Sequence, residues 1–482
     1  MPLNRPLALL AAASALALSA CATVGPNFQT PAAPSGAAGA GYAMVGDVTP
    51  AGVRVAPDTH GAGVGWWQAF GSPELDGAIR QALADSPTLA EARAKLEKAQ
   101  AQANAVRGAQ SVQVDVNGSA QRERINTASF GFAGFPSPTI NLFQVGGTVS
   151  YDLDLFGGRK RASEKAEAQV EQAARQANAA YLTLSGQVAI QAMKIASLKA
   201  EIAAVREIIA DDQGVIDMVR KAEAAGGEAR SALSGGAQQL AEDQAQLPPL
   251  QRELDAARHQ MALLAGKSPA EWTAPDFDLA KFSVPADVPV SLPSELVRKR
   301  PDILAAQAEM HAATAAIGVA VANQYPDVRL SANLTQGSIQ PEKLFNYASS
   351  GWSLLSGVSA PIFHGGTLKA ERAAAEAEAR ASLARYQGTV LRAFVQVSDV
   401  LANLGHDQEG IIALKRAVDA AEANNRDAQT AYRLGGGPLV DVTRAHRALS
   451  RARRALVRAQ GQRMSDFVEL YTATAADWRT AS

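Results

Sequence analysis

Cysteine is nearly absent. The 482-residue chain has one, Cys21, so no intrachain disulfide can staple it. Aromatic residues make up only 5% of the chain, and mean hydropathy is -0.07. A thick conventional core is therefore poorly supplied, although the length would suit several domains. Net charge is -1, so nothing electrostatic points to nucleic acid. The 6 histidines are scattered without ligand spacing, and no metal site is expected. Gly61–Gly65 is glycine-rich but follows no strand and lacks a phosphate-binding lysine. No Gly-x-Ser-x-Gly elbow occurs. Neither a catalytic constellation nor a cofactor site emerges, so no enzyme activity is expected.

What is present starts with the setting of Cys21. Arg5 gives a positive start, and Leu7–Leu18 is an apolar run too short to span a bilayer. Leu18-Ser19-Ala20-Cys21 resembles a bacterial lipobox. Residues 1–20 then read as a lipoprotein signal peptide, with acylation of the Cys21 thiol and of the amine freed by cleavage. Ala22 rather than Asp, under the sorting rule of lipoproteins, implies passage to the outer membrane. Residues 21–64, rich in Ala, Gly and Pro, read as an extended, lipid-anchored tether. Trp66 and Trp67 read as an anchor against neighbouring helices.

The period of the sequence then changes several times. A helical pattern from Ser86 to about Gln110 gives way to alternation. Val112, Val114, Val116, Gly118 and Ala120 interleave with Gln113, Asp115, Asn117 and Ser119, which predicts a strand with one apolar and one polar face. A second such strand is expected over about 142–156, a third over about 326–336 and a fourth over about 351–363. Each is roughly the length a tilted strand needs to cross a bilayer. Long helical patterns follow each pair of strands, from Arg159 to about Ala225 and from Thr367 to Arg433. Gly226-Gly227 turns the first back. Its partner helix should loosen at Gly235-Gly236 and Pro248-Pro249. Tyr432–His446 turns the second, and a last helix runs to about Thr472.

The plan is duplicated. Ser86-Pro87-Thr88-Leu89 resembles Arg300-Pro301-Asp302-Ile303, and Ala109-Gln110 resembles Asn323-Gln324, both at an offset of about 214 residues. Residues 65–294 form a first repeat with a hairpin tip near 226. Residues 295–475 form a second with a tip near 436, and 476–482 are a tail. Four membrane-crossing strands cannot close a barrel, and an open edge in lipid costs several kcal/mol per unpaired backbone group. Several chains should therefore pool their strands; three would give about twelve, within the known range. A barrel joined to a helical tube is a duct.

At this point the sequence resembles the outer membrane factors, efflux channels of the TolC, OprM and NodT type. Val24-Gly25-Pro26-Asn27-Phe28, Trp66-Trp67-Gln68-Ala69-Phe70, Asp154-Leu155-Phe156-Gly157-Gly158-Arg159 and Arg298-Lys299-Arg300-Pro301-Asp302-Ile303 carry the likeness. It implies a mainly α fold with transmembrane β: a homotrimer with a twelve-stranded barrel, four strands per chain, continuous with a long periplasmic α-helical barrel. It also implies a passive exit duct for small molecules, docked to a periplasmic adaptor and a proton-driven inner-membrane pump. A duct for type I protein secretion is the alternative, and a periplasmic coiled-coil scaffold lipoprotein a more distant one.

The resemblance also assigns the tips. Gly226 and Gly227 form the first, and Leu434, Gly435, Gly436 and Gly437 the second; both would meet the adaptor. Tyr432-Arg433-Leu434-Gly435 matches the family's Tyr-Arg-x-Gly. Tyr432 and Asp441 then belong to the pore gate, with Asp441 at the family's pore-facing acid. Arg444 stands where a second acid is common. It lies three residues on and can reach Asp441 on the same helix face, so the gate should be less cation-selective than one with two acid rings.

Overall fold

The computed structural model describes residues 23–31, 42, 55–57, 65–131, 134–284, 288–290 and 293–474. Cys21, the signal-like segment, most of the tether and the C-terminal tail lie outside the described residues. The chain divides into two compact units. One joins the N-terminal segment up to Pro31 to Lys95–Ala173 and Ala306–Tyr386; the other joins Ala32–Ala94, Ala174–Ala305 and Gln387–Ser482. Each unit draws on both halves of the sequence. The duplicated segments are thus not themselves the compact bodies.

The first unit holds a four-stranded antiparallel sheet. After the short strand β1 (Val55–Pro57) come β2 (Gln113–Arg124) and β3 (Thr139–Leu153). The three-residue β4 (Val288–Val290) pairs in parallel with β1. The sheet is completed by β5 (Asp327–Ser338) and β6 (Ser350–Ser359), in the order β2-β3-β5-β6. Register sorts its side chains. Val114 faces Val149, Val149 faces Ala332, and Ala332 faces Leu354. Val116, Gly147, Leu334 and Trp352 form a second apolar row. Period-two alternation across four strands in register therefore makes one face apolar. That face is open: Val116 is 79% exposed, Trp352 76% and Leu354 74%. The opposite face is polar, with Thr148 Oγ1 donating to Asn333 Oδ1 at 2.8 Å.

The C-terminal ends of two strands fall short of the sequence reading. β3 stops at Leu153, not Phe156, because Asp154 is diverted to capping. Its carboxylate accepts the Arg159 N–H at 3.1 Å and the Lys160 N–H at 2.9 Å, opening the next helix. β6 stops at Ser359, short of 363, just before Pro361, which cannot extend a ladder.

The helices are α1 (Pro73–Asp85), α2 (Pro87–Ala109), α3 (Gly158–Ala224), α4 (Arg230–Gln244), α5 (Leu247–Leu264), α6 (Pro293–Lys299), α7 (Pro301–Ala322), α8 (Thr367–Arg433) and α9 (Leu439–Ala473). The duplication is plain: α3 and α8 are each 67 residues long, and α2 and α7 each open on a proline suited to a first turn. α7 is also the one described helix long and apolar enough to cross a membrane by length and composition.

The expected loosening at Gly235-Gly236 does not occur. Both glycines sit inside α4, and the break falls at Ala245–Gln246, ahead of Pro248. A Cβ at Gly236 would lie 3.1 Å from Ile216 Cγ1. The small residue lets α4 approach α3, and that contact outweighs the loss of helix propensity. In the second unit, Trp66 and Trp67 are buried anchors. Trp66 stacks on Tyr471 at 5.6 Å and points its Nε1–H at Ser185 (3.3 Å), while Trp67 donates to Asp76 at 2.9 Å. Indole N–H groups buried with acceptors in this way stay satisfied.

Candidate functional site: the hairpin tips and the arginine-rich helix

Both hairpin turns close by one geometry. Gly226 N–H donates to Glu223 O and Gly227 N–H to Ala222 O, each at 2.9 Å. Gly435 N–H donates to Tyr432 O at 3.0 Å and Gly436 N–H to Ala431 O at 2.8 Å. This is a Schellman-type cap, which needs a left-handed residue just past the helix end. Gly226 (φ 77°) and Gly435 (φ 74°) supply it. Gly227, Gly436 and Gly437 have ordinary φ, although a Cβ at Gly437 would press to 3.2 Å from that of Ala431. Leu434 is 82% exposed at the second turn.

Below the turns, Val215 and Val219 of α3 meet Leu439 and Val442 of α9 in a small buried cluster, and Tyr432 packs against its edge. Asp441 and Arg444 stay outside it. Arg444 Nη1 donates to Asp441 Oδ1 at 3.0 Å, with side chains 74% and 49% exposed. An exposed pair of this kind contributes only a few tenths of a kcal/mol. Beside the cluster lies a cavity of about 380 Å³ between α3, α4 and α9, lined by Ile216, Glu228, Gly236 and His446 among others. There His446 Nε2 lies 3.1 Å from Asp212 Oδ1, and both side chains are buried.

Three polar clusters lie outside the sequence reading. The first fastens the N-terminal segment. Buried Arg161 donates to Val24 O (3.1 Å), Gly25 O (3.2 Å) and Asn27 Oδ1 (2.7 Å), and pairs with Glu164 at 2.7 Å. Glu164 also meets His311 at 3.0 Å, and His311 stacks on Phe28 at 4.3 Å. Burial pushes the Glu164 carboxyl up, but the hydrogen bonds from Arg161 and His311 outweigh it and hold the group below the usual range. Partners more than a hundred residues apart leave no local signal.

The second cluster lies between α8 and α9. Burial, then the neighbouring Asp466 charge and hydrogen bond, push Asp407 up to about 6, against the pull of Arg463 and His406. Asp466 is 3% exposed and accepts from Gln462 Nε2 at 2.8 Å. The third is the arginine population of α9. Between Asp441 and Asp466 the sequence has seven arginines and no acid. Charge patterning could have flagged it.

An antiparallel sheet with one exposed apolar face, joined to duplicated helical hairpins, defines the subunit of a membrane duct. The matches give the family. The outer membrane efflux protein model matches residues 78–267 and 292–476. The chain belongs to that family and is an outer-membrane efflux protein. It is 29% identical to the pyoverdine export outer membrane protein OpmQ of Pseudomonas putida, over 100% of this chain and 99% of the relative. It is 28% identical to the cation efflux system protein CusC of Escherichia coli, over 98% and 99%. Among solved structures, the outer-membrane channel OprN superposes with a TM-score of 0.83 at 26% identity, covering 95% of this chain and 100% of that one.

Proposed function

We propose that the protein is the passive exit duct of a tripartite efflux system. Three copies pool their sheets into a twelve-stranded barrel and their helical hairpins into a tube. Small toxic molecules pass through it, delivered by a periplasmic adaptor and a proton-driven inner-membrane pump. The observation that carries this reading is the apolar face that runs unbroken across four strands whose two outer edges lack partners among the described residues. In water such a face and such edges invite aggregation. In lipid they are stable once neighbouring copies close the edges.

The tips are assigned adaptor docking, around Gly226, Gly227 and Leu434–Gly437, and the Asp441 face of α9 is assigned the gate. Exposed Leu434 beside compact glycine turns suits a partner's helical hairpin. Arg444 tempers the Asp441 ring, so cation preference at the gate is weak. Cys21 carries the lipid anchor to the outer membrane. The test is a deletion strain together with the purified protein. Raised drug sensitivity, heat-modifiable trimers and ion conductance in bilayers are expected. Unchanged sensitivity with loss of a secreted protein would favour protein secretion instead.

A further inference from the structure

Helical spacing sorts the arginines of α9. Arg453 turns inward to Glu207 and Glu422, at 2.9 and 3.0 Å. Arg444, Arg447, Arg451 and Arg458 follow at intervals of three, four and seven, so they share one stripe. All four are exposed. Two are matched: Arg444 by Asp441 and Arg458 by Glu201, each at 3.0 Å. Arg447 and Arg451 have no carboxylate partner among the described residues. Arg454 flanks them, its Nε buried and without an acceptor. Arg451, Arg454 and Arg458 line an open groove of about 510 Å³ beside α3 and α5, where Glu253 is the one further acid.

Like charges stacked at helical spacing repel one another. An unpaired guanidinium presents a planar fork of donors that matches a carboxylate or phosphate. A row of such forks holds small oxyanions loosely and at several adjacent sites, the condition for conduction rather than trapping.

We propose that this stripe is an anion lane, and that the cargo of the duct is small organic anions. The proposal rests on the reading under which the Asp441 face of α9 looks into the duct, since Arg444, Arg451 and Arg458 continue that face. The lane lies beyond the gate position and acts whether or not the Asp441–Arg444 pair is intact.

The experiment uses the full-length lipidated protein in planar bilayers under a KCl gradient, with citrate as a multivalent probe. The wild-type channel should pass chloride in preference to potassium, and citrate should reduce its current. Arg447→Gln with Arg451→Gln should lose both the preference and the citrate block while still forming trimers. Ala455→Cys, exposed between Arg451 and Arg458, should be blocked by a bulky uncharged thiol reagent. If Ala455→Cys is blocked but the double variant keeps the wild-type selectivity, the anion lane is overturned and the duct reading stands. If the wild type forms no channel, or Ala455→Cys resists the reagent, the duct-facing reading fails and the proposal falls with it. Unchanged selectivity combined with loss of adaptor crosslinking would replace the lane with an acidic partner protein.

Discussion

Gly226 and Gly435 hold the same backbone position at the two hairpin turns. A Cβ in the left-handed region costs about 1–2 kcal/mol, so Gly435→Ala should lower the apparent unfolding temperature of the trimer by a few degrees. Gly436→Ala carries no such strain and should unfold close to the wild type. Parallel thermal melts decide between backbone strain and mere side-chain bulk; equal losses would reject the cap. Arg161 is a different kind of single-residue dependence. Removing one partner of a buried ion pair costs about 3–5 kcal/mol, and Arg161→Met would also strand the Val24 and Gly25 carbonyls. Limited proteolysis should then cut within residues 23–31 faster than in the wild type. The sign of the pH effect follows from Glu164, whose folded carboxyl is held low. Its contribution is fully present above the ordinary glutamate range. It is lost as pH falls through the lowered folded value, so Glu164 keeps supporting the clamp at neutral pH.

Between α8 and α9 the sign reverses. Asp407 titrates at about 6 in the folded chain because burial and Asp466 disfavour its charge. A carboxyl raised on folding binds its proton more tightly in the native state. Its contribution to stability is therefore greatest below the ordinary aspartate range and is lost as pH rises towards about 6. Thermal melts of the wild type and of Asp407→Asn from acid to neutral pH should differ by that decline, which the variant lacks. The sheet offers a second test. Val116→Lys places a charge on the apolar face, where lipid would cost about 2–4 kcal/mol near the midplane. Asn117→Lys, one residue on, points to the polar face. Trimer yield in membranes should collapse for the first and hold for the second. Equal yields would remove the lipid assignment of that face.

These elements differ in how far the sequence reveals them. Alternation found the strands because each side chain's face is a local property. It overshot at Phe156 and near 363 because Asp154 is spent on a cap and Pro361 ends a ladder. Glycine at Gly235-Gly236 looked like a weakness when it is an approach site for Ile216, which no one-dimensional pattern reports. The tips were legible through their glycines, and the Asp441–Arg444 pair through its spacing. The Arg161 and Asp407 clusters were not, since their partners come from other segments.

At the scale of the whole molecule, strand direction constrains assembly. Each neighbour in the order β2-β3-β5-β6 is antiparallel, so the outer strands β2 and β6 run in opposite senses. A copy that adds its β2 beside another's β6 keeps the alternation unbroken, and any even-stranded barrel can close this way. Joining β2 to β2, or β6 to β6, as antiparallel neighbours keeps the apolar faces together only if one copy is turned end over end, which would point its helical connections to the opposite side of the membrane. Single cysteines introduced along β2 and along β6, combined pairwise in one chain, should therefore oxidise into covalent trimers for at least one register. Cysteines on β3 and β5 should not, because both edges of those strands are already occupied within the chain. Denaturing gels without reductant give the answer. Trimers from β3 or β5 pairs, or none from any β2 and β6 pair, would mean that copies do not meet edge to edge. The apolar face would then need another cover.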